Sequence, residues 1–278
     1  MLAQRIVTAL VLLALLVPAL FAAQAWPFNV LTLLLIGAAG WEWGRLNQAG
    51  ATLSLAMGLG LAAACTAALA VGWSDHAPRL AWWLAALVWV AGGALALRTG
   101  PSSWPRLPRV ARWVLGLAAL WAAWLAMSHA RGIGINFILS VFCLVWVADI
   151  AAYFGGRRFG KRKLAPTISP GKSWEGVASG MVGVFVLALA WRAMESRMTL
   201  DSVSLFGQLF THLGLLGGLL ALAFLAGMSV VGDLVESLVK RAAGAKDSSR
   251  LLPGHGGVLD RVDALLPVFP LAMALLIL

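Results

Sequence analysis

Apolar runs of near-spanning length recur along this chain, separated by short polar intervals. They fall near 6–23, 28–44, 51–72, 80–97, 113–129, 134–154, 174–194, 208–231 and 263–278. About 20 apolar residues cross the hydrocarbon core as a helix, and a helix satisfies its own backbone there. The pattern therefore predicts an all-α, polytopic integral membrane helix bundle of about nine transmembrane helices. The first run carries Arg5, an apolar stretch and Ala23-Gln24-Ala25, the outline of a cleaved signal; it is read here as a retained first span. No polar interval is long enough for a separate soluble domain. One membrane domain, 1–278, is expected, with 1–130 as anchoring and dimerisation helices and 131–278 as catalytic helices and polar loops. Gly176, Gly180 and Gly183 put small residues on one helix face, a stripe for close packing. Several Trp (Trp26, Trp41, Trp43, Trp73, Trp174, Trp191) fall near helix ends, as in an interfacial belt.

Composition agrees. Of the 278 residues, 61% are hydrophobic and 12% charged, about half the charge of a soluble domain. The net charge of +10 would suit nucleic acid, but cations beside spans mark cytoplasmic loops and anionic headgroups instead. With the N-terminus cytoplasmic, only Arg79, Arg131, Arg192 and Arg197 of the 21 Lys and Arg fall on the opposite side. Membrane lipids, not nucleic acid, are the expected surroundings. Cys65 and Cys143 lie in apolar runs without ligand spacing and read as inert buried thiols.

The chemistry lies in the polar loops and the acids beside them. Asp149 ends one apolar run, Asp233 and Glu236 end another, and Asp260 and Asp263 begin the last. Ionisable groups at membrane depth face a cavity or a partner. Asp233, Glu236, Ser237 and Lys240 share one face of a helix through 233–241, opposite Leu234, Val235, Leu238 and Val239. The bland alternative is a surface helix with a solvated polar stripe. The neighbouring Gly-rich segment speaks against it: "PGHGG", Pro253 to Gly257, can turn tightly and present backbone N–H groups, then leads into Asp260-Arg261-Val262-Asp263. Asp233 and Asp260 could hold a divalent cation such as Mg²⁺, with Glu236 and Asp263 either completing its shell or pairing with the cations. Lys240, Arg241, Lys246 and Arg261 would neutralise phosphate oxygens. In "SPGKSWEG", Ser169 to Gly176, Pro170-Gly171 reads as a turn, and Lys172 and Ser173 precede a helix N-terminus, a place that favours phosphate. The set suits transfer at phosphorus.

Ser237-Leu-Val-Lys240-Arg241, Lys246-Asp247, Pro253-Gly254-His255-Gly256-Gly257 and Asp260-Arg261-Val-Asp263 resemble the signature of the phosphatidate cytidylyltransferases. The resemblance covers the last 130 or so residues by motif and the rest by hydropathy. It implies CTP and phosphatidate as substrates, CDP-diacylglycerol and pyrophosphate as products, a Mg²⁺ cofactor with room for a second, monovalent cation, a homodimer and a bacterial inner membrane. It places Asp233, Lys240, Arg241, Asp260 and Arg261 in catalysis. Ser169, Lys172, Ser173, Ser237, Lys246, Asp247, Gly254, His255, Gly256 and Gly257 then belong to substrate binding; for His255, orienting the turn, touching phosphate and acid–base work all stay open. Two other readings are a CTP-dependent lipid-alcohol kinase, which would release CDP, and an anion transporter.

Overall fold

The computed structural model describes residues 2–278. The side chains of Leu2, Ala3 and Arg5 lie outside the described residues, and with them the expected placement of Arg5. Each apolar run coincides with helix: α1 (Leu2–Phe21), α2 (Trp26–Leu46), α3 (Ala51–Ala70), α4 (Arg79–Leu87) continuing through a π turn into α5 (Gly93–Thr99), α6 (Arg109–Ile133), α7 (Ile135–Phe159), α8 (Trp174–Glu195), α9 (Leu205–Ala242) and, after the one-turn α10 (Leu259–Val262), α11 (Leu265–Leu276). Among the described residues six helices are long and apolar enough to cross a membrane. The molecule is thus a polytopic membrane helix bundle.

Two helices set the architecture. Gly214, at φ 69°, breaks α9, and the segment beyond it is straight helix to Ala242. At 1.5 Å per residue that segment runs about 42 Å, longer than a hydrocarbon core of about 30 Å, so its polar end clears the apolar zone. α11 is the opposite case. At about 18 Å it is too short to cross alone. It packs against α4, α6, α7 and α9, and Val268, Phe269, Leu271 and Ala272 are almost wholly buried. The last apolar run is a core helix around which the others gather.

The polar loop after α7 departs from an all-helical expectation. Lys163–Ala165 (β1) pairs antiparallel with Ser169–Ser173 (β2). The turn is at Ala165–Ile168, where Ile168 N–H donates to Ala165 O at 3.1 Å, and not at Pro170-Gly171, which lies inside β2. Pro166 suits the second turn position, and Pro170 is tolerated because a two-stranded ribbon is all edge. Buried Ile168 pins the turn to the bundle. Trp43 also departs from expectation: it is buried, its indole donating to Arg112 O at 2.9 Å, whereas Trp26 and Trp174 are exposed as a belt requires.

Candidate active site

α7 and α8 approach as closely as their small residues allow. A Cβ at Gly176 or Gly180 would lie 2.9 or 2.8 Å from the carbonyl of Ala152 or Ala148. Where their polar ends meet β1–β2 and α9, they leave a cleft of about 540 Å³, within the range of small-ligand sites. Its walls carry Asp149, Tyr153 and Arg157 from α7, Lys163 from β1, Lys172 from β2 and Asp233 from α9. Lys172 Nζ stands 2.5 Å from Asp233 Oδ2, with the two side chains 22% and 29% exposed. Ser237 donates to the other Asp233 oxygen at 3.2 Å. Asp149, the acid that ends its apolar run, faces this cleft.

One turn further along α9 the same residue types make a closed centre. Lys240 is ion-paired to Glu236, and its Nζ lies 2.6 Å from Asp260 Oδ1. The three side chains are 11%, 3% and 6% exposed. This burial removes the solvated-stripe alternative for the helix face. Asp260 Oδ2 accepts from Ser248 N at 2.9 Å, Ser248 Oγ at 2.8 Å and Gly257 N at 2.7 Å. Burial works against the Asp260 charge most strongly. The hydrogen bonds from Lys240, Gly257 and Ser248 together outweigh it, holding the carboxyl below its ordinary value at about 2.

The Gly-rich loop that delivers Asp260 is shaped by its own backbone. His255 N–H donates to Leu252 O at 2.9 Å across Pro253-Gly254. With Gly254 at φ 76°, this is the type II arrangement, which requires glycine at that place. The backbone of His255, not its ring, closes the turn. The loop is then clamped from the other half of the chain. Glu42, wholly buried on α2, accepts from Ser249 Oγ at 2.6 Å, Ser248 Oγ at 3.3 Å, Val258 N at 3.0 Å and Leu259 N at 2.8 Å. A Cβ on Gly257 would lie 2.3 Å from Glu42 Oε1 and 2.1 Å from Ser248 Oγ, so only glycine lets the loop reach this carboxylate. Thr8 of α1 adds a bond to Pro253 O at 2.9 Å.

The remaining expected residues divide between site and scaffold. Ser173 is buried on the cleft wall and accepts from Gly176 N at 3.2 Å, capping α8. Ser169 pairs with Ala165 in the hairpin and lines the cleft. Arg241 donates to Ile168 O and Ala245 O, both at 3.3 Å, tying hairpin to helix end. Lys246 and Asp247 are exposed beside the Gly-rich loop, as is Arg261 beyond it. Gly256, at φ 84°, backs onto Asp260, and Asp263 Oδ1 accepts from Ala264 N at 2.8 Å. Asp233 and Asp260 face different lysines, and among the described residues no three acidic, His or Cys side chains converge as a metal cluster.

The whole chain, residues 3–278, matches the cytidylyltransferase family model. The chain belongs to the cytidylyltransferase family. It is 40% identical to the phosphatidate cytidylyltransferase of Pseudomonas aeruginosa PAO1, over 99% of this chain and 97% of that one. The phosphatidate cytidylyltransferases of Haemophilus influenzae and Brucella suis match at 47% and 41% identity, over 51% and 63% of this chain and 46% and 59% of theirs. What motif reading of this family member misses is Glu42. Glu42 had one signal: it is the lone acid of the second apolar run, and an acid in such a run has a partner.

Proposed function

We propose that this cytidylyltransferase-family protein transfers the cytidylyl group of CTP to phosphatidate, giving CDP-diacylglycerol and pyrophosphate for phospholipid synthesis. The observation that carries the reading is the open cleft whose walls bring Arg157 and Lys163 together with the Lys172–Asp233 pair. Three cations with two acids, Asp149 and Asp233, suit a polyphosphate held together with a metal ion and not a neutral ligand. A phosphatidate oxygen attacks the α-phosphorus of CTP. The new P–O bond forms as the bond to the β-phosphate oxygen breaks, and that electron pair leaves on pyrophosphate. A phosphate monoester is already anionic near neutral pH, so no general base is needed. Lys172, Arg157 and Lys163 hold the phosphates and offset the charge that builds on them. Lys240, paired with Glu236 and Asp260 in the closed centre, holds the Gly-rich loop against α9 beside this cleft.

Asp233 and Asp149 offer hard oxygen donors on the cleft wall, the kind Mg²⁺ takes together with substrate phosphates, so the cleft fits that ion. When bound, Mg²⁺ would neutralise phosphate charge. Asp233 is the donor proposed here. Asp260 has one oxygen committed to Ser248 and Gly257 and the other on Lys240, and with Glu236 and Asp263 it forms the acidic surround. The cation distribution supports nine membrane-embedded helices with the N-terminus and the cleft on the cytosolic side of a bacterial inner membrane. A homodimer is proposed with it, through the first helices.

The test is product analysis with purified protein in detergent, CTP, phosphatidate and Mg²⁺. Lipid-dependent pyrophosphate is expected. CDP in its place would make the protein a lipid kinase, and no turnover with any nucleotide would leave transport.

A further inference from the structure

A second cavity, about 190 Å³ and almost wholly apolar, opens among α1, α2, α6, α7 and α11. One charged residue, Arg261, lines it, beside Leu252 and Val258 of the Gly-rich loop. Its floor is aromatic: Phe28 and Trp124 are fully buried, Phe269 is 1% exposed, and Phe142 stacks on Trp146 at 5.5 Å between centroids. Along α2 the lining runs from Ile36, near the Glu42 clamp, down to Phe28, about 12 Å into the bundle. Apolar space of this depth with a cation at its rim matches the outline of a lipid tail below an anionic headgroup.

The helix α7 joins this cavity to the polar cleft. Phe142 and Trp146 line the apolar cavity; Asp149, Tyr153 and Gly156 line the cleft. These five residues are spaced by four, three, four and three, so they form one stripe on one helix face. Over about 21 Å that stripe passes from aromatic to acidic and then to the basic loop. A molecule lying along it would need to be apolar at one end and multiply anionic at the other.

We infer that this apolar cavity is the acyl-chain groove of the lipid substrate: one tail of phosphatidate lies along Phe142 and Trp146, and its phosphate reaches the cleft past Arg261. This rests on the proposed function for the identity of the lipid, and it adds where the tail binds and which residues select it. The wall on the α1 side is Leu12, Leu15 and Leu16. Most of α1 is exposed, and Thr8 ties it to the Gly-rich loop.

The test uses the full-length protein with phosphatidates of two chain lengths. Leu12→Trp and Leu16→Trp narrow the groove far from the reacting atoms. Each should lower the ratio of kcat/KM for dioleoyl- over dioctanoyl-phosphatidate on the order of tenfold, the worth of about two methylenes withdrawn from the groove. An unchanged ratio overturns the groove. Should either variant fail to fold, the wild type supplies the answer. Phosphatidate with a photoreactive group on its acyl chain should label peptides from α1 and from Phe142–Trp146, and excess phosphatidate should suppress the label. Labelling suppressed equally by phosphatidylglycerol would make the groove a structural lipid site and overturn the proposal, as would labelling elsewhere. Turnover of dioctanoyl-phosphatidate by the wild type reads the proposed function separately, so either claim can fail alone.

Discussion

Helix α9 carries two Asp–Lys meetings within two turns, and they differ in everything but composition. Lys172 and Asp233 meet at a cleft wall with about a quarter of each side chain open. Lys240 and Asp260 meet behind the Gly-rich loop, with Glu236 as a third member and Ser248 and Gly257 filling the remaining valence of Asp260. The open pair has little energetic reason to exist, since exposed ion pairs contribute about 0–1 kcal/mol. What it keeps is exchangeable partners, as the proposed exchange of protein contacts for phosphate and metal would require. The closed pair has the reverse character. Two buried charges are held only because a network compensates them, and removing one strands the others. The comparison teaches that position relative to solvent, and not residue type, assigns an ion pair to reaction or to scaffold.

The comparison can be broken at several points. The largest effect is expected from Asp233→Asn. Steady-state pyrophosphate release should fall by about 10²- to 10³-fold, the usual loss for one preorganised electrostatic group, while thermal unfolding in detergent stays near that of the wild type. Asp260→Asn should instead cost stability, about 3 kcal/mol, because Lys240 and Glu236 remain buried around a neutral amide; the drop in apparent Tm measures it, and activity falls with it. Glu42→Gln keeps the shape of the clamp but halves its acceptors. A loss of about 2 kcal/mol is expected, the scale of hydrogen bonds to a charged group, together with faster proteolysis of the Gly-rich loop while α9 stays protected. The smallest effect is with pH. The Asp260 carboxyl sits at about 2 in the fold against an ordinary 3.8, so its contribution is complete above about pH 4 and is lost as pH falls toward 2. The stability gap between the wild type and Asp260→Asn should therefore be constant from pH 7 to 5 and narrow by pH 3.

Much of this was legible in the chain. Nine apolar runs mark nine helical stretches, and the spacing of Asp233, Glu236, Ser237 and Lys240 puts them on one helix. What spacing does not show is that this face divides between two centres, because the division comes from what packs against it: the hairpin at Asp233 and the Gly-rich loop at Lys240. Pro170-Gly171 reads as a turn because such pairs usually are one; the turn lies at Pro166 instead because Ile168 has a burial site and a two-stranded ribbon tolerates a position without an N–H at Pro170. Ser173 lines the cleft and also caps α8, and Arg241 tethers the hairpin to the helix end; spacing shows the phosphate chemistry of both but not these structural tasks. Glu42 was hidden by distance, more than 200 residues from the groups it binds. Its contact also gives the first half of the chain a part in positioning the Gly-rich loop.

The central claim is that the open pair serves the reaction and the closed pair the fold. One preparation of Asp233→Asn tests it most directly, with thermal unfolding and pyrophosphate release measured on the same sample. The account predicts stability within about 1 kcal/mol of the wild type, as for loss of an exposed pair, with turnover reduced at least a hundredfold. Full turnover, or a loss of stability that parallels the loss of turnover, would contradict it.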